Sequence, residues 1–286
     1  DNIAPERLLR YLEASTGEHI IAGETLIIFD EIQSCERALT SLKYFCEETP
    51  EFHIAAAGSL LGVAINRQHY SFPVGKVETI TMYPLDFEEY LWARGKEFLA
   101  SEIRSAFETM TALPDALHAE ATELYREYLL IGGMPASINA FLRSGSFLDV
   151  SLVQSEILDN YIADMAKYAS NADSVKIRAC YNSIPAQLAK DNRKFQYKVV
   201  QKGGSASLFG ASIEWLYLAG GVLKCQRISQ AFEPISVYAD LSAFKLYMGD
   251  VGLLTAKSGL SQQTILSGEG NTFMGAVTEN YVAQQL

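Results

Sequence analysis

Apolar residues in the N-terminal third of the chain follow two kinds of pattern. Leucines at helical spacing predict a helix over residues 5–14, and a second apolar stripe predicts another over 36–45. Short apolar runs predict strands over 25–29 and 52–57, and an alternating stretch predicts a third over 77–82. The resulting order of strand, helix, strand, loop and strand is typical of the latter half of a parallel α/β sheet.

The pattern becomes mainly helical after this region. Asp86 is expected to cap a helix that begins at Phe87. Residues 98–168 are expected to be helical except for a break at Gly-Gly-Met-Pro, residues 132–135. A final helix is predicted over 275–286. Because the chain begins with Asp and ends inside this helix, we expect it to be a piece of a longer protein.

The pattern of predicted elements changes again between Ser174 and Ala239. Helices are expected over 175–188, with a kink or break at Pro185, and over 205–219. Two short β segments follow around a proline, at residues 222–227 and 235–239. Helix, turn, helix and hairpin in this order predict a winged helix.

The run from Leu26 to Phe29 is followed directly by two acids, Asp30 and Glu31. This is the form of a Walker B segment in a P-loop ATPase. Four apolar residues predict a strand covered on both faces, and open α/β sheets bind ligands beyond the carboxyl ends of their strands. Asp30 would then hold the magnesium ion of a nucleotide, and Glu31 would polarise the attacking water. The alternative is that the acids merely cap the next helix.

The next predicted strand ends in Gly58-Ser59. In P-loop ATPases the corresponding strand ends in a polar residue that senses the γ-phosphate. Parallel strands of a right-handed βαβ unit have their ends side by side, so Asp30, Glu31 and Ser59 are expected to converge. A plain tight turn at Ser59 is the alternative.

Composition describes a globular protein with an unevenly distributed charge. The 286 residues are 49% hydrophobic and 20% charged, with a net charge of -11, which argues against nucleic-acid binding by the whole surface. The four cysteines form no C-x-x-C pair and are interpreted as free buried thiols in a reducing compartment. No apolar window is long enough to span a bilayer and no signal peptide is present, so we predict a cytoplasmic location without a membrane partner.

Seven basic residues and a single acid lie between Lys176 and Lys202, against an acidic remainder. The second helix of the predicted winged helix carries no Lys or Arg, so base reading is not supported. Phosphate contact by residues 190–202 is the candidate DNA interaction, with Arg193, Lys194 and Lys198 as its contacts. The alternative is a solvated loop beside a winged helix used for packing.

Six segments occur in a characteristic order along the whole chain. They are residues 26–33 (LIIFDEIQ), 57–62 (AGSLLG), 71–77 (SFPVGKV), 83–90 (YPLDFEEY), 128–135 (YLLIGGMP) and 244–254 (FKLYMGDVGLL). Together they resemble a family of prokaryotic AAA-type P-loop ATPases. The last segment resembles the domain of unknown function that follows the ATPase in that family.

The resemblance implies roles for individual residues and implies ATP and Mg²⁺ as cofactors. Asp30 and Glu31 match the Walker B acids, Asp30 as the metal ligand through the nucleotide, and Ser59 matches the sensor. Pro135 matches a proline that packs near the adenine in related signal-transduction ATPases, with a plain helix break as the alternative. Glu279 matches an early helix acid of a restriction-endonuclease-like fold, although a solvated helix residue is the favoured interpretation.

The phosphate-binding loop, G-x-x-x-x-G-K-[ST], is missing from this chain. Gly75-Lys76 and Gly95-Lys96 lack both the preceding glycine and the following Ser or Thr. We therefore expect a fragment that lacks the Walker A loop and is inactive as it stands. Nucleotide would bind only with the loop restored. Candidates for an arginine finger or sensor are Arg67, Lys76 and Arg126.

The predicted fold class is α/β plus α. Four parts are expected: the C-terminal half of a P-loop ATPase core (1–97), a helical lid region (98–173), a winged helix (174–240) and the start of an α/β nuclease-like domain (241–286). The leading function is ATP binding and hydrolysis. The alternatives are a DNA-binding or scaffolding protein with an inert ATPase part, and an ATPase-regulated nuclease.

Overall fold

The computed structural model of the chain describes residues 4–58, 73, 75–190, 194–268 and 272–286. These residues form a mixed α/β protein that is mostly helical. The chain divides into two compact units, Asp1–Met82 and Tyr83–Leu286. Each unit has apolar clusters of its own.

The described part of the first unit is built on a pair of parallel strands. Its elements are helix α1 (Pro5–Thr16), strand β1 (Leu26–Phe29), a 3-10 turn (Ile32–Ser34), helix α2 (Glu36–Glu48) and strand β2 (His53–Ala56). Leu26 pairs with His53 and Phe29 pairs with Ala56. Since parallel strands need a crossover connection, α2 provides it. The prediction of neighbouring parallel strands is confirmed.

Side chains of β1 alternate between a buried face and an exposed face. Ile27 is 8% exposed and packs with Leu9 of α1 and Phe45 of α2. Ile28, in contrast, is 63% exposed. The prediction of a strand covered on both faces is therefore wrong for the described residues, because α1 and α2 both pack on the face of Ile27.

Residues 77–82 form no strand, although their alternation predicted one. A strand is stabilised by a hydrogen-bonded neighbour, and this stretch does not pair with either described strand of the unit. Val77 packs beside the cluster of Ile32 and Leu39, whereas Ile80 and Met82 are exposed. The apolar residues of this stretch therefore provide one packing contact, at Val77, and no pairing in a sheet.

The second unit begins with a helix whose cap was predicted. The Asp86 carboxylate accepts the Glu89 N–H at 2.7 Å, and the Glu89 carboxylate accepts the Asp86 N–H at 2.9 Å. This reciprocal capping box starts α3 (Phe87–Ala93). The helices that follow are α4 (Glu97–Thr109), α5 (Asp115–Ile131), α6 (Pro135–Ser144), α7 (Phe147–Tyr168), α8 (Asn171–Leu188), α9 (Tyr197–Val200) and α10 (Ala206–Leu218). The predicted break at Gly-Gly-Met-Pro falls between α5 and α6, as expected.

Pro185 lies inside α8 without ending it, so the predicted break is absent. A proline removes one helical hydrogen bond. Ile184 and Leu188, on either side of it, are buried in the largest apolar cluster of the unit. This packing holds the helix together across the missing bond.

An antiparallel strand pair follows α10. Strand β3 (Val222–Ile228) pairs with strand β4 (Ala239–Met248). The β segment predicted at 235–239 is instead a 3-10 turn (Ile235–Tyr238), because the partner of β3 begins only at Ala239. Strand β4 runs through residue 240, where the sequence suggested a domain boundary, and the four-part division stays a prediction.

The chain continues with α11 (Val251–Ser258), α12 (Gln262–Ser267) and α13 (Met274–Gln285). The largest apolar cluster joins α8, α10, β4 and α11 through the buried side chains of Ile184, Leu216, Met248 and Leu254. Among the helices that the structure describes, none is long and apolar enough to cross a membrane.

Candidate functional site

The carboxyl ends of β1 and β2 are joined by two backbone hydrogen bonds. The Ala57 N–H donates to the Phe29 carbonyl at 2.8 Å, and the Ile32 N–H donates to the Ala57 carbonyl at 3.0 Å. Asp30 and Glu31 therefore form a two-residue turn between Phe29 and Ile32, which both bond to Ala57. This geometry brings the acids to the end of the neighbouring strand. Ser59, the predicted third member of the site, lies outside the described residues.

Both acids are exposed at this strand end. The Glu31 N–H donates to Asp30 Oδ1 at 2.9 Å, which orients the Asp30 carboxylate. Glu31 has φ 51° and ψ 40°, a left-handed conformation that costs a non-glycine residue roughly 1 kcal/mol or more. The Glu31 side chain makes no capping bond to the 3-10 turn, and α2 has Cys35 as its N-cap. The helix-cap alternative for the two acids is therefore not supported.

Exposed carboxylate oxygens are suitable ligands for Mg²⁺. Proteins typically hold this ion with one or two carboxylates, and substrate phosphates and water complete its shell. Asp30 and Glu31 fit that pattern. The described residues contain no cluster of three or more His, Cys, Asp or Glu that could hold a metal ion without a substrate.

The two Gly-Lys pairs are both in ordinary surface positions. Lys76 forms an ion pair with Glu47 of α2 at 3.1 Å, and Lys96 forms one with Glu120 of α5 at 2.8 Å. Of the predicted finger candidates, Arg67 lies outside the described residues. The guanidinium of Arg126 lies against Gly268, where an added Cβ would approach its Nη2 to 2.5 Å.

The Gly-Gly-Met-Pro segment binds a buried carboxylate of the second unit. The Gly133 N–H donates to Asp250 Oδ2 at 2.6 Å, and the Leu253 N–H donates to Asp250 Oδ1 at 2.9 Å as the cap of α11. Pro135 is the exposed first residue of α6, a position where proline is favoured. Its proposed place near an adenine stays a prediction.

Glycine is required on both sides of this contact. A Cβ on Gly132, which has φ 74°, would lie 2.2 Å from Asp250 Oδ1, and one on Gly133 would lie 2.0 Å from the Leu85 carbonyl oxygen. Asp250 itself is 1% exposed. Burial raises its pKa to about 6, and hydrogen bonds from Gly133 and Leu253 oppose that rise. The Gly-Gly pair is thus a packing element for the start of α11.

Glu279 is not the solvated helix residue that the sequence favoured. Its Oε1 accepts a hydrogen bond from the Tyr247 hydroxyl at 2.6 Å and forms an ion pair with Lys245, both on β4. The side chain of Glu279 is 22% exposed. The contact attaches α13 to the strand, and a nuclease role for this acid stays a prediction.

The basic segment is attached to the fold by its backbone. The Phe195 N–H donates to the Phe244 carbonyl at 2.8 Å, and the Gln187 side chain makes two hydrogen bonds to the Gln196 backbone. Lys198, on α9, is exposed and Lys194 is half-buried. Arg193 lies outside the described residues.

The cysteines differ from the prediction of four buried thiols. Cys180 is buried, and burial raises the pKa of its thiol to about 12. Cys35, Cys46 and Cys225 are exposed free thiols. Their positions on helix and strand surfaces were not evident from spacing alone.

Two residues of these sites were missed from sequence. Asp250 precedes an apolar helical run, which is the ordinary signal of an N-cap. Gln33 lies beside Glu31 in the structure, and its Nε2 donates to Glu31 Oε2 at 2.6 Å. No sequence signal pointed to that contact, because it depends on the conformation of the turn.

Comparison with known proteins gives two family matches. Residues 1–91 match the model of an AAA domain, and residues 122–264, half of the chain, match the domain of unknown function DUF8612. Among solved structures, the Walker-type ATPase PABY2304 of Pyrococcus abyssi is similar with 16% identity and a TM-score of 0.49. The match covers 88% of this chain and 66% of that one, so the chain spans just under two thirds of its length. Comparison with curated proteins returns no match.

Proposed function

The chain belongs to the DUF8612 family and its residues 1–91 match the model of an AAA domain, and from this premise we propose that its first unit supplies the hydrolytic acids of an AAA-type ATPase. Asp30 would serve the metal ion of the nucleotide. Glu31 would act on the attacking water, with Ser59 as the γ-phosphate sensor. The AAA match supports the coarse assignment, and the residue roles are our proposal.

The observation that supports this proposal most directly is the exposure of Asp30 and Glu31 together with the backbone conformation of Glu31. Both carboxylates are exposed at the end of a parallel strand, and Glu31 has a left-handed backbone. Strained residues of this kind persist where the surroundings impose them and are concentrated at functional sites. Neither side chain makes a helix-capping hydrogen bond, so capping does not account for them.

Magnesium, when bound with ATP, would neutralise charge on the phosphates during transfer. Asp30 is the residue of this chain that would hold it. The phosphate-binding loop would have to come from outside this sequence, since no G-x-x-x-x-G-K-[ST] occurs in it. For that reason we expect chain 1–286 by itself to release no appreciable phosphate from ATP, and steady-state release well above that of Glu31→Gln contradicts this expectation.

The direct test uses a longer protein that includes a phosphate-binding loop upstream of Asp1. Glu31→Gln should keep nucleotide affinity and lose turnover by roughly a hundredfold or more, since it removes the base and keeps the shape. Asp30→Asn should weaken Mg-ATP binding as well. Equal turnover in Glu31→Gln and the parent protein would make Glu31 a structural residue and end the proposal.

A second candidate function, phosphate-backbone contact with DNA, is favoured by one observation. The basic segment is fixed to α8 and β4 while Lys198 remains exposed, so its charge is held at a defined place. We propose weak, sequence-tolerant binding through Arg193, Lys194 and Lys198, within a winged helix over residues 174–240. Because counterion release drives such binding, it should fall steeply with salt.

Fluorescence anisotropy with two unrelated duplexes over a salt series tests this second candidate. Replacing Arg193, Lys194 and Lys198 together by Gln should weaken both duplexes alike and flatten the salt slope by roughly two to three. The control is Lys76→Gln, which removes a basic residue of the first unit. A strong preference for one duplex, or an affinity that does not change with salt concentration, contradicts phosphate contact.

A further inference from the structure

Gln33 is a buried polar residue directly beside the exposed acid pair. It lies in the 3-10 turn after β1 and is 4% exposed. Its Nε2 donates to Glu31 Oε2 at 2.6 Å, a short hydrogen bond to a carboxylate acceptor. The turn therefore carries, two positions after Glu31, a donor aimed back at the Glu31 carboxylate.

Apolar packing does not explain a glutamine at this position. The adjacent Ile32 is 2% exposed and packs with Leu39 and Leu42, so the turn is already anchored by an apolar side chain. Burying an amide costs free energy unless its hydrogen bonds are made. A polar residue in such a place is informative because an apolar residue of similar size would serve the core as well.

The end of β2 is shaped to admit the Gln33 amide. Gly58 follows β2, and a Cβ on this residue would lie 2.3 Å from Gln33 Oε1 and 3.2 Å from its Cδ. Gly58 does not have a positive φ, so its missing side chain is needed for space rather than for backbone freedom. The glycine of the Gly58-Ser59 pair thus makes room for the residue that contacts Glu31.

We propose that Gln33 is a positioning residue for Glu31. This inference rests on the function proposed above, in which Glu31 acts on water. By binding Oε2, the Gln33 amide restricts a glutamate side chain that solvent would otherwise leave mobile, and it leaves Oε1 for the water. Restricting a reacting group in this way contributes to the rate and not to ground-state binding of nucleotide.

The first experiment uses chain 1–286 without nucleotide. In a ¹⁵N-labelled sample, Glu31→Gln should shift the Gln33 side-chain NH₂ resonances, because it replaces the carboxylate to which Gln33 Nε2 donates. The matched control is Glu36→Gln, which changes an exposed acid at the start of α2. Gln33 resonances that stay in place in Glu31→Gln, or that shift equally in both variants, overturn the contact and with it the inference.

The second experiment measures turnover and KM in the longer protein with its phosphate-binding loop. Gln33→Met, close in size but without the donor, should lower kcat roughly tenfold and leave KM for ATP nearly unchanged. Gln33→Glu should lower kcat further, because two carboxylates would repel each other. Gly58→Ala should resemble Gln33→Met, since its Cβ displaces the amide. Ser41→Ala, which removes a buried hydroxyl bonded to the Ala38 carbonyl, is the packing control.

The outcomes separate this inference from the proposed function. Loss of turnover in Glu31→Gln with full turnover in Gln33→Met overturns the positioning role and leaves the ATPase proposal standing. Full turnover in Glu31→Gln overturns the ATPase proposal itself. A Gln33→Met protein that loses nucleotide affinity to the same extent as Ser41→Ala would show a packing role instead.

Discussion

The molecule contains two carboxylate sites that differ in almost every physical respect. At the end of β1, Asp30 and Glu31 are exposed, and the backbone of Glu31 is left-handed. At the start of α11, Asp250 is buried and accepts N–H groups from Gly133 and Leu253. At the first site a strained backbone exposes the acids, whereas at the second the acid joins the Gly-Gly-Met-Pro segment to the start of α11.

This difference shows how to decide whether the residues of a sequence motif have a structural or a chemical role. Both sites lie in segments that resemble an ATPase family, yet Gly132 and Gly133 are explained by the packing around Asp250 and Leu85. Asp30 and Glu31 have no such explanation, because neither side chain makes a capping hydrogen bond. Unoccupied acceptor capacity and backbone strain favour a chemical role, and satisfied burial favours a structural one.

The largest loss of stability is expected for a substitution of Gly133. In Gly133→Ala the new Cβ would meet the Leu85 carbonyl oxygen at 2.0 Å, and backbone cannot move aside as a flexible side chain can. We expect a loss of about 3 kcal/mol or more in the free energy of unfolding. Urea unfolding followed by tryptophan fluorescence measures it, since Trp92 and Trp215 both lie in the second unit.

Gly210→Ala provides the matched control for that substitution. An added Cβ at Gly210 would meet nothing within 4 Å, and the residue lies inside α10, where alanine is the better helix former. We expect the control to be neutral or stabilising by about 1 kcal/mol. A Gly133→Ala protein as stable as Gly210→Ala would show that the segment does not pack as described.

The next effect compares Asp250→Ala with Asp30→Ala. The first leaves the buried Gly133 N–H without an acceptor and removes the cap of α11, for a loss of roughly 2 kcal/mol or more. The second changes an exposed side chain and should alter the free energy of unfolding by about 0.5 kcal/mol or less. Similar losses in the two variants would remove the distinction between the sites.

A smaller change in the free energy of unfolding is expected when the pH is varied. The pKa of Asp250 is raised to about 6 in the folded protein from an ordinary value of 3.8, so the native state takes up the proton first as pH falls. The contribution of Asp250 to stability is therefore full below about pH 4, is lost as pH rises to about 6, and is constant above that. Tyr128, Tyr161 and Tyr181 are its titratable neighbours, and burial raises the pKa of each further above this range.

Asp250→Asn isolates this contribution. Its amide can still accept the Leu253 N–H, but its NH₂ group faces the Gly133 N–H, so the variant should be less stable at every pH. The loss relative to the parent protein should be larger at pH 4.5 than at pH 7 by on the order of 1 kcal/mol. A loss that grows with pH would mean that the charged form of Asp250 is the one the fold prefers.

Much of the helical framework followed from local chemistry. The Asp86 cap and the break after Ile131 were predicted because caps and glycine act within a few residues. The strand expected at 77–82 failed because alternation cannot say whether a pairing partner is present. The one-sided burial of β1 and the Gln33 contact with Glu31 depend on long-range packing and turn geometry, which no short pattern encodes.

The most direct test of the contrast is the stability of Glu31→Gly. If Glu31 is kept for chemistry, glycine at φ 51° relieves backbone strain, and this gain offsets the loss of the acceptor for the Gln33 amide. Native-state hydrogen exchange of the Ala57 N–H, which bonds to the Phe29 carbonyl beside the acids, reports on this strand end. We predict exchange that is unchanged or up to about fivefold slower. Exchange more than about tenfold faster would contradict the account, because Glu31 would then be holding the strand end together.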